Sequence, residues 1–308
     1  MTKSAILFPG QGSQYVGMGR DLAEGFPECR SLFDRASAVL GYDIADVCFN
    51  GPIEKLTIST NTQPAIFVHS VAAVTAWKLR HPDATWDYAA GHSVGEWSAL
   101  HIAGAISFED AVKALKYRAQ YIQEAAEAQP GAMLAIIGSE TAILEKICAG
   151  SGAQMANFNS HEQVVLSGHK DAIDKAEQLA RDVGIRKVIR LQVAGAFHSS
   201  LMRPAADRLA SIVEGIAIKT PAIPVVSNVT ARAHTDPASI KKLMLEQIYS
   251  SVRWCDSIEW MKSQGVTSYL ECGPGKVLTG LVRRIDKQAV LTNITDLLTL
   301  ESAGAALS

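Results

Sequence analysis

The chain has 308 residues, 48% of them apolar, with a formal charge of -2 and five cysteines. That composition supplies one large core or two unequal lobes, and the scattered Lys and Arg exclude a phosphate-tracking face, so no nucleic-acid partner is expected. Cys29, Cys48, Cys148, Cys255 and Cys272 share no C-x-x-C spacing, which favours neither a disulfide framework nor a zinc site.

The first segment, MTKSAILFPG, has one Lys and a short apolar run halted by Pro9-Gly10, unlike a secretory signal. No later apolar run has the length of a bilayer span. A cytoplasmic protein with no membrane partner is the expectation. SAILF reads as a buried strand that enters the glycine-rich turn PGQGSQYVGMG. The turn lacks both G-x-G-x-x-G spacing and a G-K-[ST] ending, so it is not a phosphate loop. A helix carrying AEGFPECRSLFDRASAVL is predicted next, then a long buried helix over TQPAIFVHSVAAVTAWKL with Pro64 in its first turn.

YAAGHSVGEWSALHIAG reads as strand, sharp turn and helix. Within it Gly91 to Gly95 fit G-x-S-x-G, a turn that lifts a serine hydroxyl above a sheet. A helix-capping serine would ask nothing of Gly91 and Gly95, whereas a strained elbow needs small residues on both sides. Ser93 is therefore a candidate nucleophile, with the next backbone N–H, from Val94, available to an oxyanion. In FEDAVKALKYRAQYIQEAA, Arg118 falls on the apolar stripe of Ala111, Ala114, Leu115 and Ile122. A cation there is either an internal ion pair or a holder of a substrate carboxylate.

MLAIIG, TAILEKICAG, AQMANFN, QVVLSGH, KDAIDKAEQLARDVG and RKVIRLQV read as strand, helix, strand, strand, helix, strand, the ferredoxin-like order. The fold class is thus α/β: a large α/β-hydrolase-like catalytic domain with a parallel sheet (residues 1–130 and 195–308), and a small ferredoxin-like domain inserted at 131–194. Downstream, AIPVVSNVT reads as a strand, LEQIYSSVRWCDSIEWMKSQG as a helical region, TSYLE as a strand and GPGKVLTGLVRRI as a turn and helix.

A serine needs a base. Of eight histidines, His198 in VAGAFHSSLM lies where the chain returns to the large domain, and clefts form at such boundaries. His69, His92 and His101 read as packing or supporting groups. A hydrolase triad would place an Asp or Glu between Ser and His. No carboxylate in that interval is well placed by its motif, and Asp171, Asp174 and Asp182 sit on a solvated helix face, so the sequence departs from an ordinary triad.

LFPGQGSQ, the TQPA of Thr62 to Ala65, GHSVGE, the Arg118 helix, GAFHS and ECGPGKVL, in this order, closely resemble malonyl-CoA:acyl carrier protein transacylases and the acyltransferase domains of polyketide synthases. The resemblance runs from about residue 4 to about residue 296, leaving only the tail ESAGAALS uninformative. It implies that Ser93 takes malonyl from malonyl-CoA, that His198 is the general base and that Arg118 holds the malonyl carboxylate. It places the backbone N–H of Gln11 beside that of Val94 in the oxyanion hole, and the main-chain carbonyl of Gln247 on the histidine. A carbonyl there fixes the tautomer without setting another anion beside an anionic substrate.

GAFH is similar to the malonyl-selective form of its motif, in which Phe197 crowds an α-methyl group. His161 and Ser200 stand where relatives commonly have proline, and Val94 replaces a frequent leucine. The resemblance implies ping-pong transfer to the phosphopantetheine thiol of acyl carrier protein by a monomer, without metal or cofactor. The acidic carrier would meet either Arg186, Lys187 and Arg190 or Lys276, Arg283 and Arg284, although an ordinary solvated face is the better explanation of each group taken alone. An editing hydrolase, a trans-acting polyketide acyltransferase and a non-catalytic carrier-binding module are the alternatives.

Overall fold

The computed structural model describes residues 3–193 and 195–307. Among these residues nine strands fall into two sheets: β1 (Lys3–Phe8), β2 (Tyr88–Gly91), β7 (Val225–Val226), β8 (Val266–Cys272) and β9 (Val290–Ile294) in one, β3 (Gly131–Ile137), β4 (Gln154–Phe158), β5 (Gln163–His169) and β6 (Lys187–Arg190) in the other.

The first sheet has the order β7-β2-β1-β8-β9 with every pair parallel. Ala5, Ile6, Leu7 and Phe8 of the central strand are fully buried because helices cover both faces, which is why SAILF reads as an unbroken apolar run. Phe8 is in register with Gly91, so β1 and β2 end together. The segments leaving β1, β2 and β7 carry Gln11, Ser93 and Asn228 to this common carboxyl edge, where ligands of open parallel sheets bind.

The second sheet has the order β4-β5-β3-β6, entirely antiparallel, with helices at Thr141–Ser151 and Lys170–Asp182 completing the ferredoxin-like pattern. Strand alternation divides its faces. Ala132, Leu134 and Ile136 of β3 pack with Leu144, Ile147 and Ile173 under the helices. Met133 and Ala135 point the other way, with Val165 of β5, toward Phe197, Leu191 and Val193. The sheet also joins the larger body at its edge: Phe158 N–H donates to Val252 O (2.9 Å) and Val252 N–H to Ala156 O (2.8 Å). The expected boundary at residue 194 falls on Ala194, outside the described residues.

Three expected helices are corrected. The one carrying AEGFPECRSLFDRASAVL is two, Arg20–Gly25 and Pro27–Leu40, because Phe26 is extended and Pro27 starts the second. The long helix runs from Ser59 to Arg80, so Pro64 lies in its second turn. Proline there cannot donate to Thr60 O, and the Tyr42 hydroxyl donates to that carbonyl instead (3.2 Å). LEQIYSSVRWCDSIEWMKSQG splits into the end of Pro237–Glu246, a turn, and Trp254–Ser263. The strand in AIPVVSNVT is only two residues long. No helix among the described residues is long and apolar enough to cross a membrane.

Candidate active site

β2 ends at Gly91 and a helix starts at Gly95, so three residues make the turn. Ser93 occupies it with φ +52°, a left-handed backbone that costs a non-glycine residue about 1–2 kcal/mol. Asn228 Oδ1 accepts from Ser93 N–H (2.7 Å) and Gln247 Nε2 donates to Ser93 O (3.1 Å), holding the turn in place. The flanking glycines answer a steric need: a Cβ at Gly91 would lie 2.0 Å from Gly95 O, and one at Gly95 would lie 2.1 Å from Phe8 O.

His198 reaches the serine from the segment that follows the small sheet. Its backbone is also left-handed, φ +56°. Ser93 Oγ–H donates to His198 Nε2 (2.9 Å), and His198 Nδ1–H donates to the main-chain O of Gln247 (2.8 Å). The second bond fixes the tautomer that leaves a lone pair facing the hydroxyl. Burial, and after it the charge of Arg118, pushes the imidazole down to about 3, so it is neutral at physiological pH and its Nε2 lone pair is unprotonated.

Arg118 is buried on the helix Phe108–Ala128 among Ala114, Leu115, Ala119 and Ile122. Nη1 donates to Gln63 Oε1 (2.5 Å), and Nη2 to Gln247 Oε1 (3.1 Å) and Ser93 Oγ (3.2 Å). Among the described residues no carboxylate lies in ion-pair contact with it, and its Nε has no partner. Burial lowers its pKa to about 10, with the charge of Glu96 opposing the drop, so it stays a cation at neutral pH. A buried guanidinium without an anion is a site prepared for one.

These groups open on a cavity of about 230 Å³. Gln11 and Val94 line it, and among the described residues neither backbone N–H donates to a protein acceptor. Phe197 forms part of its wall with Met133 and Val165 of the small sheet, so each sheet supplies one side. Among the described residues no group of three His, Cys, Asp or Glu is arranged to hold a metal.

The other predicted residues are placed as follows. His92 Nε2–H donates to Asn159 Oδ1 (2.9 Å) beside the cavity, whereas His69 and His101 donate to the Thr295 and Ile106 carbonyls. Ser200 exchanges two hydrogen bonds with Gln154 on β4, and His161 pairs with Glu259 at the surface. Arg190 is held by Asp174 and Glu177. Sequence reasoning assigned no role to Gln63, Glu96, Asn228 or His234. Gln63 and Glu96 lie inside motifs already singled out; Asn228 and His234 offer no local signal.

The acyl transferase domain family matches residues 6–296. The malonyl CoA-acyl carrier protein transacylase of Bacillus subtilis is 41% identical over 98% of this chain and 96% of its own length; that of Escherichia coli K12 is 43% identical over 92% and 93%. An acyl carrier protein S-malonyltransferase from Vibrio cholerae superposes with a TM-score of 0.94 at 43% identity, covering 98% of this chain and all of its own. A malonyl-transacylase solved in complex with a type II PKS acyl-carrier protein gives 0.94 at 38% identity, covering 98% of this chain and 99% of its own.

Proposed function

The chain belongs to the acyl transferase domain family, and from that premise we propose that it is a malonyl-CoA:acyl carrier protein transacylase with Ser93 as nucleophile. The observation that carries the reading is the convergence on one hydroxyl: His198 Nε2 at 2.9 Å to take its proton and a buried, anion-free Arg118 at 3.2 Å to hold the acyl carboxylate.

Acylation begins as the Ser93 Oγ proton passes to His198 Nε2 and Oγ bonds to the thioester carbon of malonyl-CoA. The carbonyl electrons move onto oxygen, facing the N–H groups of Gln11 and Val94. Collapse breaks the C–S bond, and His198 returns the proton to the coenzyme A sulfur. The phosphopantetheine thiol of the carrier then repeats the sequence on the malonyl-serine ester, its proton going through His198 to Ser93. Arg118 keeps the malonate in register throughout. Protein groups supply every proton and charge that these steps need, and the five free thiols fit a reducing, cytoplasmic setting.

The test is intact-protein mass after mixing with malonyl-CoA, with and without holo carrier, beside Ser93→Ala. A malonyl adduct that needs Ser93 and moves to the carrier is expected. Loss of the adduct to free malonate at the same rate without carrier would make the enzyme an editing hydrolase.

A further inference from the structure

Glu96, the last residue of GHSVGE, is fully buried one helical turn beyond Ser93. A carboxylate out of water must be well hydrogen-bonded or give up its charge. Glu96 accepts three bonds: from His234 Nε2–H at Oε1 (2.8 Å), and from Asn228 N–H (3.0 Å) and Gln247 Nε2–H (2.6 Å) at Oε2. All three donors belong to the stretch between β7 and β8, so one side chain ties that stretch to the nucleophile turn.

Gln247 passes the contact on in two directions. Its main-chain O accepts from His198 Nδ1–H, and its side-chain Oε1 accepts from Arg118 Nη2. A neutral amide can donate to an anion and accept from a cation at once. The Gln247 amide therefore stands between Glu96 and Arg118 and satisfies both without letting them meet. Direct contact would give the guanidinium a permanent carboxylate partner, and an incoming acyl carboxylate would have to displace it. Direct contact of an acid with His198 Nδ1, as in an ordinary triad, would set an anion beside the same substrate.

We propose that Glu96 is the positioning carboxylate of this site, acting through Gln247 to hold the carbonyl that orients His198 while leaving Arg118 free for the acyl carboxylate. The missing acid of the triad is thus present, one hydrogen bond behind its usual place. This inference rests on the transacylase reading above and assigns Glu96 and the Gln247 amide their parts in it.

Single-turnover acylation by malonyl-CoA, read by intact mass over a range of concentrations, separates the two effects in the full-length protein. Gln247→Met keeps the main-chain carbonyl and removes the amide. Arg118 then closes onto Glu96, and half-saturation by malonyl-CoA rises about tenfold or more with a smaller change in saturating rate. Glu96→Gln removes the charge and the anchor; the saturating rate falls about tenfold or more as the imidazole loses its orientation. In the double variant no anion remains to capture Arg118, so half-saturation returns to within about threefold of the parent.

A purely structural role would lower the thermal midpoint and both constants together and give no recovery. Parent-like half-saturation in Gln247→Met, or no recovery in a folded double variant, overturns the proposal, as does a parent-like saturating rate in Glu96→Gln. If Glu96→Gln does not fold, the Gln247→Met result decides alone. Failure of the unmodified protein to form the Ser93 ester overturns the transacylase reading instead.

Discussion

Ser93 and His198 meet at 2.9 Å across 105 residues of chain, and both hold a left-handed backbone, φ +52° and +56°. Strain stored at both members of such a pair is typical of a site whose geometry the surrounding fold imposes. Glycine adopts φ near +50° freely, so Ser93→Gly should be more stable than Ser93→Ala by about 1 kcal/mol while neither forms an acyl adduct. Paired urea denaturation curves check this; equal midpoints would mean that the turn is not strained.

The glycines beside the nucleophile test the same turn from outside. Gly95→Ala places a methyl 2.1 Å from Phe8 O, a backbone atom of the central strand that cannot move aside. A loss of about 3 kcal/mol or more, with no adduct, is expected. A soluble Gly95→Ala protein with the parent thermal midpoint would contradict the described turn.

The low pKa of His198 gives two pH signatures. Its folded value, about 3, lies below its ordinary 6.5, so the unfolded chain takes up the proton first. The stability contribution is therefore complete above about pH 6.5 and declines as the pH falls toward 3. Arg118 is the cation that helps depress the value, and a carboxylate bound to Arg118 offsets it. The acid limb of kcat for acylation should then lie at higher pH than that of kcat/KM, which reports the free enzyme. Coincident limbs would show that Arg118 exerts no field on His198.

Phe197 faces the cavity and packs against Met133, Ala135 and Val165 of the small sheet. Phe197→Ala should make room for an α-methyl group, raising the methylmalonyl-to-malonyl ratio of kcat/KM about tenfold, at a stability cost of about 3 kcal/mol. Competition between the two thioesters, read on the acylated serine, measures the ratio; an unchanged ratio would place the selectivity elsewhere in the wall.

What was legible in the sequence was local. GHSVGE announces its turn because strand, serine, two glycines and helix are contiguous, and Arg118 announces itself as a cation on an apolar stripe. The six elements of the small sheet follow from clean alternation between periods of two and 3.6. The polar start STNTQ hid the first turn of its helix, and β9 went unread because VLTNI is mostly half-buried and mixes polar with apolar residues. Glu96 was visible as a letter but not as a role: its partner His234 lies 138 residues away, and no period or spacing in the chain joins the two.

Carrier docking separates the two basic groups. Arg190 is already engaged by Asp174 and Glu177, whereas Lys276 and Arg283 are exposed and, among the described residues, have no carboxylate partner. Gly275, next to Lys276, lies against Ser13 in the turn that carries Gln11, and Arg284 Nη1 donates to Gln163 Oε1 (3.0 Å) at the start of β5. That group therefore borders the side of the molecule where the two sheets meet. Reversing Lys276 and Arg283 to Glu should raise the apparent KM for an acidic carrier about tenfold at low ionic strength, with the effect shrinking in salt. Acylation by malonyl-CoA should be unchanged, because that half-reaction never meets the carrier. An equal loss in both half-reactions would mean general damage, and an effect seen only on reversing Arg186 and Lys187 would move the docking face to the small sheet.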